Sequence, residues 1–178
     1  MRKLKIHELN RLSNDGFKEA EKIPVVVVLD NIRSLHNVGS VFRTADAFRL
    51  EGIYLCGITA RPPHREMEKT ALGATDTVNW HYFEDTVAAC MALRADGFLL
   101  TAVEQAEGST PLNEWSPKAD RKYALILGNE VKGVQQKVID VCDTCLEIPQ
   151  YGTKHSLNVS VSSGMVLWEA VKPFLIAL

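Results

Sequence analysis

The run Val25-Val26-Val27-Val28-Leu29 constrains this chain's fold more than any other segment. Successive side chains of a strand point to opposite faces, so a strand with one wet face alternates apolar and polar residues. A strand without that alternation must be covered on both faces, the condition of a parallel sheet layered between helices. Ile53-Tyr54-Leu55-Cys56, Phe98-Leu99-Leu100-Thr101-Ala102-Val103, Tyr123-Ala124-Leu125-Ile126-Leu127 and the shorter stretch from Thr144 to Ile148 read likewise. Helical patterns are expected over 38–48, 65–72, 84–96, 133–142 and 156–172. The alternation predicts an α/β fold, a parallel sheet flanked by helices, in a single domain over 1–178, with residues 1–23 as an N-terminal extension and 24–178 as the core.

Composition narrows the setting. Of 178 residues, 46% are hydrophobic, enough to close a core without disulfides or metal. No stretch reaches the roughly 20 apolar residues that cross a bilayer, and the start is basic and polar, so a soluble, cytoplasmic protein is expected and no membrane partner. Cys56, Cys90, Cys142 and Cys145 lack the density of a secreted scaffold and read as reduced thiols. Cys142 and Cys145 form a Cys-x-x-Cys pair, but zinc needs four ligands and no second pair accompanies it, so no metal site is expected. Net charge is −2, which excludes a protein held to nucleic acid by bulk charge alone. The asymmetry is more informative: residues 1–69 carry 12 Lys and Arg against 9 Asp and Glu, residues 70–178 carry 8 against 13. A solvated surface accounts for this, and so does an N-terminal half that meets phosphates.

In parallel α/β sheets chemistry gathers beyond the carboxyl ends of strands. After the first strand, Asn37 stands where a helix begins and can cap it. Gly39 lets a ligand or another backbone come close. Arg43 lies between Phe42 and Ala45, uncommon for a guanidinium unless it is functional or paired with a carboxylate such as Asp46. The second loop, Leu127-Gly128-Asn129-Glu130-Val131-Lys132-Gly133-Val134, sets two glycines around a carboxylate. It is not a P-loop, since Gly133 is followed by valine. The third runs from Ile148-Pro149 to Ser156-Leu157-Asn158-Val159-Ser160-Val161; Ser156 can cap the helix, and Asn158, in its first turn, needs a partner for its amide.

Together the three loops resemble the SpoU (TrmH) branch of the SPOUT methyltransferases, whose motifs match Asn37, Gly39 and Arg43, then Gly128, Glu130 and Gly133, then Ile148-Pro149 and Ser156 to Val161. The resemblance spans residues 24–171. It implies a C-terminal deep trefoil knot, an exception to the rule against knotted chains, making residues 24–178 a knotted catalytic core. It further implies S-adenosylmethionine bound in that knot by Gly128, Gly133, Ile148, Leu157 and Asn158, with a contribution from the loop after Val103. A homodimer in which the partner completes each active site also follows, and Met165-Val166-Leu167-Trp168 with Val171 suits its interface.

The implied reaction is methylation of a ribose 2′-hydroxyl of tRNA or rRNA. Arg43 would be its base or, since a guanidinium has a pKa above about 12, the group that binds the adjacent phosphate and polarises the hydroxyl. Asn37, Glu130, Ser156 and Asn158 would arrange the pocket. Arg33, His36, Arg43, Arg61 and Arg65 are the expected RNA contacts, with Arg49, Lys69 and the basic N-terminal residues as further ones; His155 is a loop residue that can touch RNA. The rival readings are a non-catalytic RNA-binding protein of this fold, a base-methylating relative, and a Rossmann enzyme. The last lacks its Gly-x-Gly-x-x-Gly after every expected strand.

Overall fold

The computed structural model describes residues 1–175. In chain order the elements are α1 (Asn14–Glu19), β1 (Ile23–Asp30), α2 (Leu35–Ala47), β2 (Leu50–Cys56), α3 (Arg65–Ala71), β3 (Trp80–Phe83), α4 (Thr86–Ala95), β4 (Phe98–Val103), β5 (Thr110–Pro111), β6 (Lys122–Leu127), α5 (Gln136–Ile139), β7 (Thr144–Glu147) and α6 (Val159–Leu175). The seven strands form one sheet in the order β3-β2-β1-β6-β4-β7-β5, and every pairing is parallel. The α/β expectation therefore holds. The chain runs outward from β1 through β2 to β3, crosses to β4, and returns so that β6 lies between β1 and β4.

The valine run behaves as its lack of alternation requires. Val25, Val27 and Leu29 enter one core together with residues of α2, α3 and α6. Val26 and Val28 enter a second core with Ala89, Cys90 and Leu93 of α4 and Val138 of α5. All five are at most 1% exposed, so β1 is the middle of a helix–sheet–helix sandwich. Among the described residues no helix is long and apolar enough to cross a membrane.

Several local expectations are corrected. Helix α2 begins at Leu35 with Ser34 as its cap, whose Oγ accepts from the Asn37 N–H at 3.3 Å; Asn37 is released for other work. Residues 133–135 are spent on a loop that turns back to β1, so the helix expected over 133–142 shrinks to Gln136–Ile139. Helix α6 starts at Val159, not at 156: the Asn158 side chain accepts from the Ser160 N–H at 2.9 Å and caps it, leaving Ser156 outside the helix. Edge strand β3 has no run of buried residues to announce it, β5 has two residues, and α1 falls in the extension. Of the two readings of Gly39 the close approach of another backbone holds, because a Cβ there would lie 2.3 Å from the Met67 carbonyl oxygen and 2.2 Å from the Thr70 hydroxyl of α3. Of the expected interface residues, Val166, Leu167 and Val171 are buried in the chain's own core, and the outer face of α6 presents Val161, Met165 and Trp168.

Candidate functional site

A cavity of about 320 Å³ opens beyond the carboxyl ends of β4, β6 and β7. Its apolar wall includes Val103, Leu127, Ile148 and Leu157, and its polar rim carries Glu104, Glu130 and Ser156. The site thus sits beyond the carboxyl ends of adjacent parallel strands, where open α/β sheets bind their ligands. The loop after β6 shapes it. Asn129 and Gly133 exchange backbone hydrogen bonds at 3.0 and 2.8 Å, folding the loop on itself. A Cβ on Gly128 would stand 2.1 Å from the Gly133 carbonyl carbon and the Val134 nitrogen, and Gly133 has φ +67° beneath the Glu104 carboxylate. Both positions require glycine. Glu104 accepts from the Val134 N–H at 2.9 Å, tying β4 to this loop, and the Gln105 amide donates to the His155 carbonyl at 2.8 Å, tying it to the third.

One line of side chains joins all three motif segments. The Glu130 carboxylate accepts from the Arg33 and Ser34 N–H groups, each at 3.0 Å, and from the Asn37 amide at 3.1 Å. The Asn37 carbonyl oxygen accepts from the Asn158 amide at 3.1 Å, and the Asn158 carbonyl oxygen accepts from Ser160. Its polarity is forced at both ends. The carboxylate accepts only, so Asn37 must turn its NH₂ toward Glu130; its oxygen then faces Asn158, whose own oxygen is left for the helix N–H. Burial alone would push the Glu130 carboxyl up, but the backbone and Asn37 hydrogen bonds outweigh it and hold its pKa below the usual range.

Three residues of this framework escaped the sequence reading, and a fourth, Glu104, entered it only as part of the loop after Val103. Asp30, fully buried at the end of β1, accepts from the Thr86 hydroxyl at 2.6 Å, the Asn31 amide at 2.8 Å, and the Gln135 N–H and side-chain amide at 3.0 and 2.7 Å. It pins the return of the glycine loop to the sheet and to α4. Asn129 donates to the Asn31 carbonyl at 2.7 Å and accepts from the Val131 and Lys132 N–H groups. Together with Glu104 and Gln135 these are the loop's anchors. The only sequence trace was an acid directly after an apolar strand and an Asn inside a turn.

Of the residues expected at the site, the structure gathers Gly128, Glu130, Gly133, Ile148, Ser156, Leu157 and His155 around the cavity, with Asn37 and Asn158 joined to Glu130 beside it. It does not bring Arg43 there. Arg43 is exposed and faces a second cleft beside Arg11 and Arg49. Nor does Arg43 pair with Asp46, whose carboxylate accepts from the Thr77 hydroxyl at 2.6 Å. Arg33, His36, Arg61 and Arg65 are exposed around the amino ends of α2 and α3; the Arg61 guanidinium lies 4.3 Å from the Tyr82 ring centre, a cation–π contact, and His36 Nε2 lies 3.9 Å from Glu66. The four cysteines are free thiols, and burial pushes Cys142 up to about 12 and Cys145 up as well. Among the described residues no three His, Cys, Asp or Glu side chains cluster as metal ligands do.

Residues 24–168 match the model of the SpoU rRNA Methylase family. A Staphylococcus aureus protein assigned by name to the TrmH family of tRNA/rRNA methyltransferases is 29% identical over 155 residues, 87% of this chain and 61% of that protein. The 23S rRNA (guanosine-2′-O-)-methyltransferase RlmB of Vibrio parahaemolyticus is 28% identical over 96% of this chain and 68% of its own length. The chain spans about three fifths of the Staphylococcus aureus relative. Among solved structures, the A. aeolicus TrmH/SpoU tRNA modifying enzyme superposes with a TM-score of 0.79 at 25% identity, covering 92% of this chain and 81% of that one. The AdoMet-bound rRNA methyltransferase from Sinorhizobium meliloti gives 0.78 at 29% identity, over 91% and 61%.

Proposed function

Because this chain belongs to the SpoU rRNA Methylase family, we propose that it is an RNA methyltransferase that uses S-adenosylmethionine to methylate a ribose 2′-hydroxyl of tRNA or rRNA, acting as a cytoplasmic homodimer of knotted domains. The observation that carries this reading is the hydrogen-bonded line from Glu130 through Asn37 to Asn158, which links the three motif segments beside one cavity. The cavity suits the cofactor: Val103, Leu127, Ile148 and Leu157 offer apolar surface for an adenine, loops after three strands bring backbone groups, and the Glu104 carboxylate suits a cationic ligand.

When bound, the cofactor supplies an electrophilic methyl group on a sulfonium. The chain's own task is alignment, since in-line displacement depends on holding the attacking oxygen on axis. Glu130 and Asn158 fix Asn37 at the start of α2, and the pinned glycine loop keeps the cavity's shape. Arg43 stands six residues beyond Asn37, about 9 Å along the helix and roughly 240° around it, so it turns away from its own chain's cavity. The partner's Arg43 completes the site in the proposed dimer, where it binds the phosphate beside the target ribose and polarises the hydroxyl. Arg33, His36, Arg61 and Arg65 add RNA contacts, and the exposed Val161, Met165 and Trp168 of α6 support the dimer. Four free thiols suit a reducing cytoplasm.

The test is methyl transfer from isotopically labelled cofactor to bulk tRNA and rRNA, followed by mass spectrometry of the released nucleosides. The label is expected on ribose. Label on a base would replace this reading with a base methyltransferase, and no transfer to any RNA would favour the non-catalytic binder.

A further inference from the structure

A second cleft, of about 890 Å³, lies between residues 10–17 of the N-terminal segment and the carboxyl end of α2. Three arginines line it: Arg11 of the N-terminal segment, Arg43 of α2 and Arg49 just beyond that helix. Among the described residues none of the three forms an ion pair. The one acid lining the cleft, Asp46, has a carboxylate oxygen bonded by the Thr77 hydroxyl. Lys22 stands near enough that the Arg49 charge helps lower its pKa, after the larger effect of burial. A helix carboxyl end attracts cations, which would explain Arg49 alone. It does not explain Arg43 within the helix, nor Arg11 arriving from another segment.

The cleft thus gathers three arginines against the single carboxylate of Asp46, a net positive charge of the kind a polyanion answers. We propose that this cleft binds the RNA sugar–phosphate backbone next to the methylated nucleotide, with Arg11 and Arg49 as phosphate contacts flanking Arg43. The inference rests on the RNA-substrate reading above and assigns two residues outside the three motifs. Arginine suits the task, because its planar fork meets two phosphate oxygens at once. Arg11 and Arg49 hold substrate and transition state alike, so they act on RNA affinity and not on the chemical step.

Arg49 offers a variant that separates binding from folding. Its φ is +50°, a left-handed conformation that glycine adopts freely, so Arg49→Gly relieves the backbone while removing the guanidinium. RNA binding is measured by fluorescence anisotropy with a labelled RNA stem-loop over a salt series for the wild type, Arg11→Gln, Arg49→Gly and the double variant. Arg121→Gln, an equal loss of charge on an exposed turn outside the cleft, is the control. Each cleft variant is expected to lose about threefold of the affinity gained on diluting salt fourfold, the signature of one phosphate contact. KM for RNA should rise while kcat and cofactor affinity stay near wild type, and Arg49→Gly should melt no lower than wild type. Wild-type affinity and salt slope in both single variants would overturn the proposal, as would an equal loss in Arg121→Gln, which would reduce the effect to bulk charge. Failure of the ribose reading appears separately, in the nucleoside digest of wild-type product, and leaves these binding measurements standing.

Discussion

Replacing Asn37 by aspartate changes almost nothing in shape and reverses the logic of the hydrogen-bonded line. The Asn37 amide donates to Glu130 at 3.1 Å; an aspartate there cannot donate and sets a second carboxylate at that distance. Two charges at about 4 Å repel by ~1 kcal/mol in bulk water and ~4 kcal/mol near a protein surface. Glu130 is exposed, so the lower part of that range applies, roughly 1–2 kcal/mol, and the lost hydrogen bond adds about 1 kcal/mol. Asn37→Ala loses both of the residue's hydrogen bonds but adds no repulsion, about 1–2 kcal/mol. Asn37→Asp should therefore be the worse variant at pH 8 by about 1 kcal/mol, or some 2–4 °C in melting temperature. The order depends on pH. Repulsion raises one carboxyl of the pair above its unfolded value, so the folded variant binds an extra proton. Its relative stability is then greatest below the unfolded pKa and is lost as pH rises through the raised one. Thermal melts of both variants at pH 5 and pH 8, with methyl-transfer rates at pH 8, test this. If Asn37→Asp melts no lower than Asn37→Ala at pH 8, or the gap ignores pH, Glu130 and Asn37 are not coupled as described.

Three further outcomes follow from the same geometry. The depressed pKa of Glu130 stabilises the fold above its unfolded pKa and is lost as pH falls through the folded value, so urea unfolding should show the advantage of wild type over Glu130→Gln shrinking below about pH 4; a constant difference down to pH 3 would contradict it. Asp30→Asn turns an NH₂ toward a site where every neighbour donates, at a cost of about 2–4 kcal/mol, so a melting point lowered by about 10 °C is expected, and a change under about 2 °C would remove Asp30 as an anchor. Trp168→Asp puts a charge on the exposed face of α6 and should leave a monomer in sedimentation; a dimer that survives would move the interface elsewhere.

Five of the seven strands, their parallel arrangement and the site's place at their carboxyl ends were legible because each depends on local chemistry, whereas the edge strands β3 and β5 carry no apolar run. Apolar runs without alternation can lie only between two helical layers, and three loops with Gly, Asn and Glu at fixed spacings stand at the ends of such runs. The sequence could not show which backbones touch. Gly39 read as room for a ligand or another backbone, and only the structure shows that the backbone of α3 fills it, since that neighbour lies some 30 residues away. Asn37 read as a helix cap, but Ser34 took that task and freed its amide for Glu130, 93 residues distant. Asp30, buried by segments from Thr86 and Gln135, carried no local sign of its role. Arg43 was identified by type and spacing, yet its surroundings follow from the turn of α2, which sets it in the cleft that Arg11 and Arg49 also line and not on its own chain's cavity. Residue type and spacing determine which groups are available; tertiary packing alone decides which of them meet, because hydrogen bonds and charges act over a few ångströms of space whatever their separation along the chain.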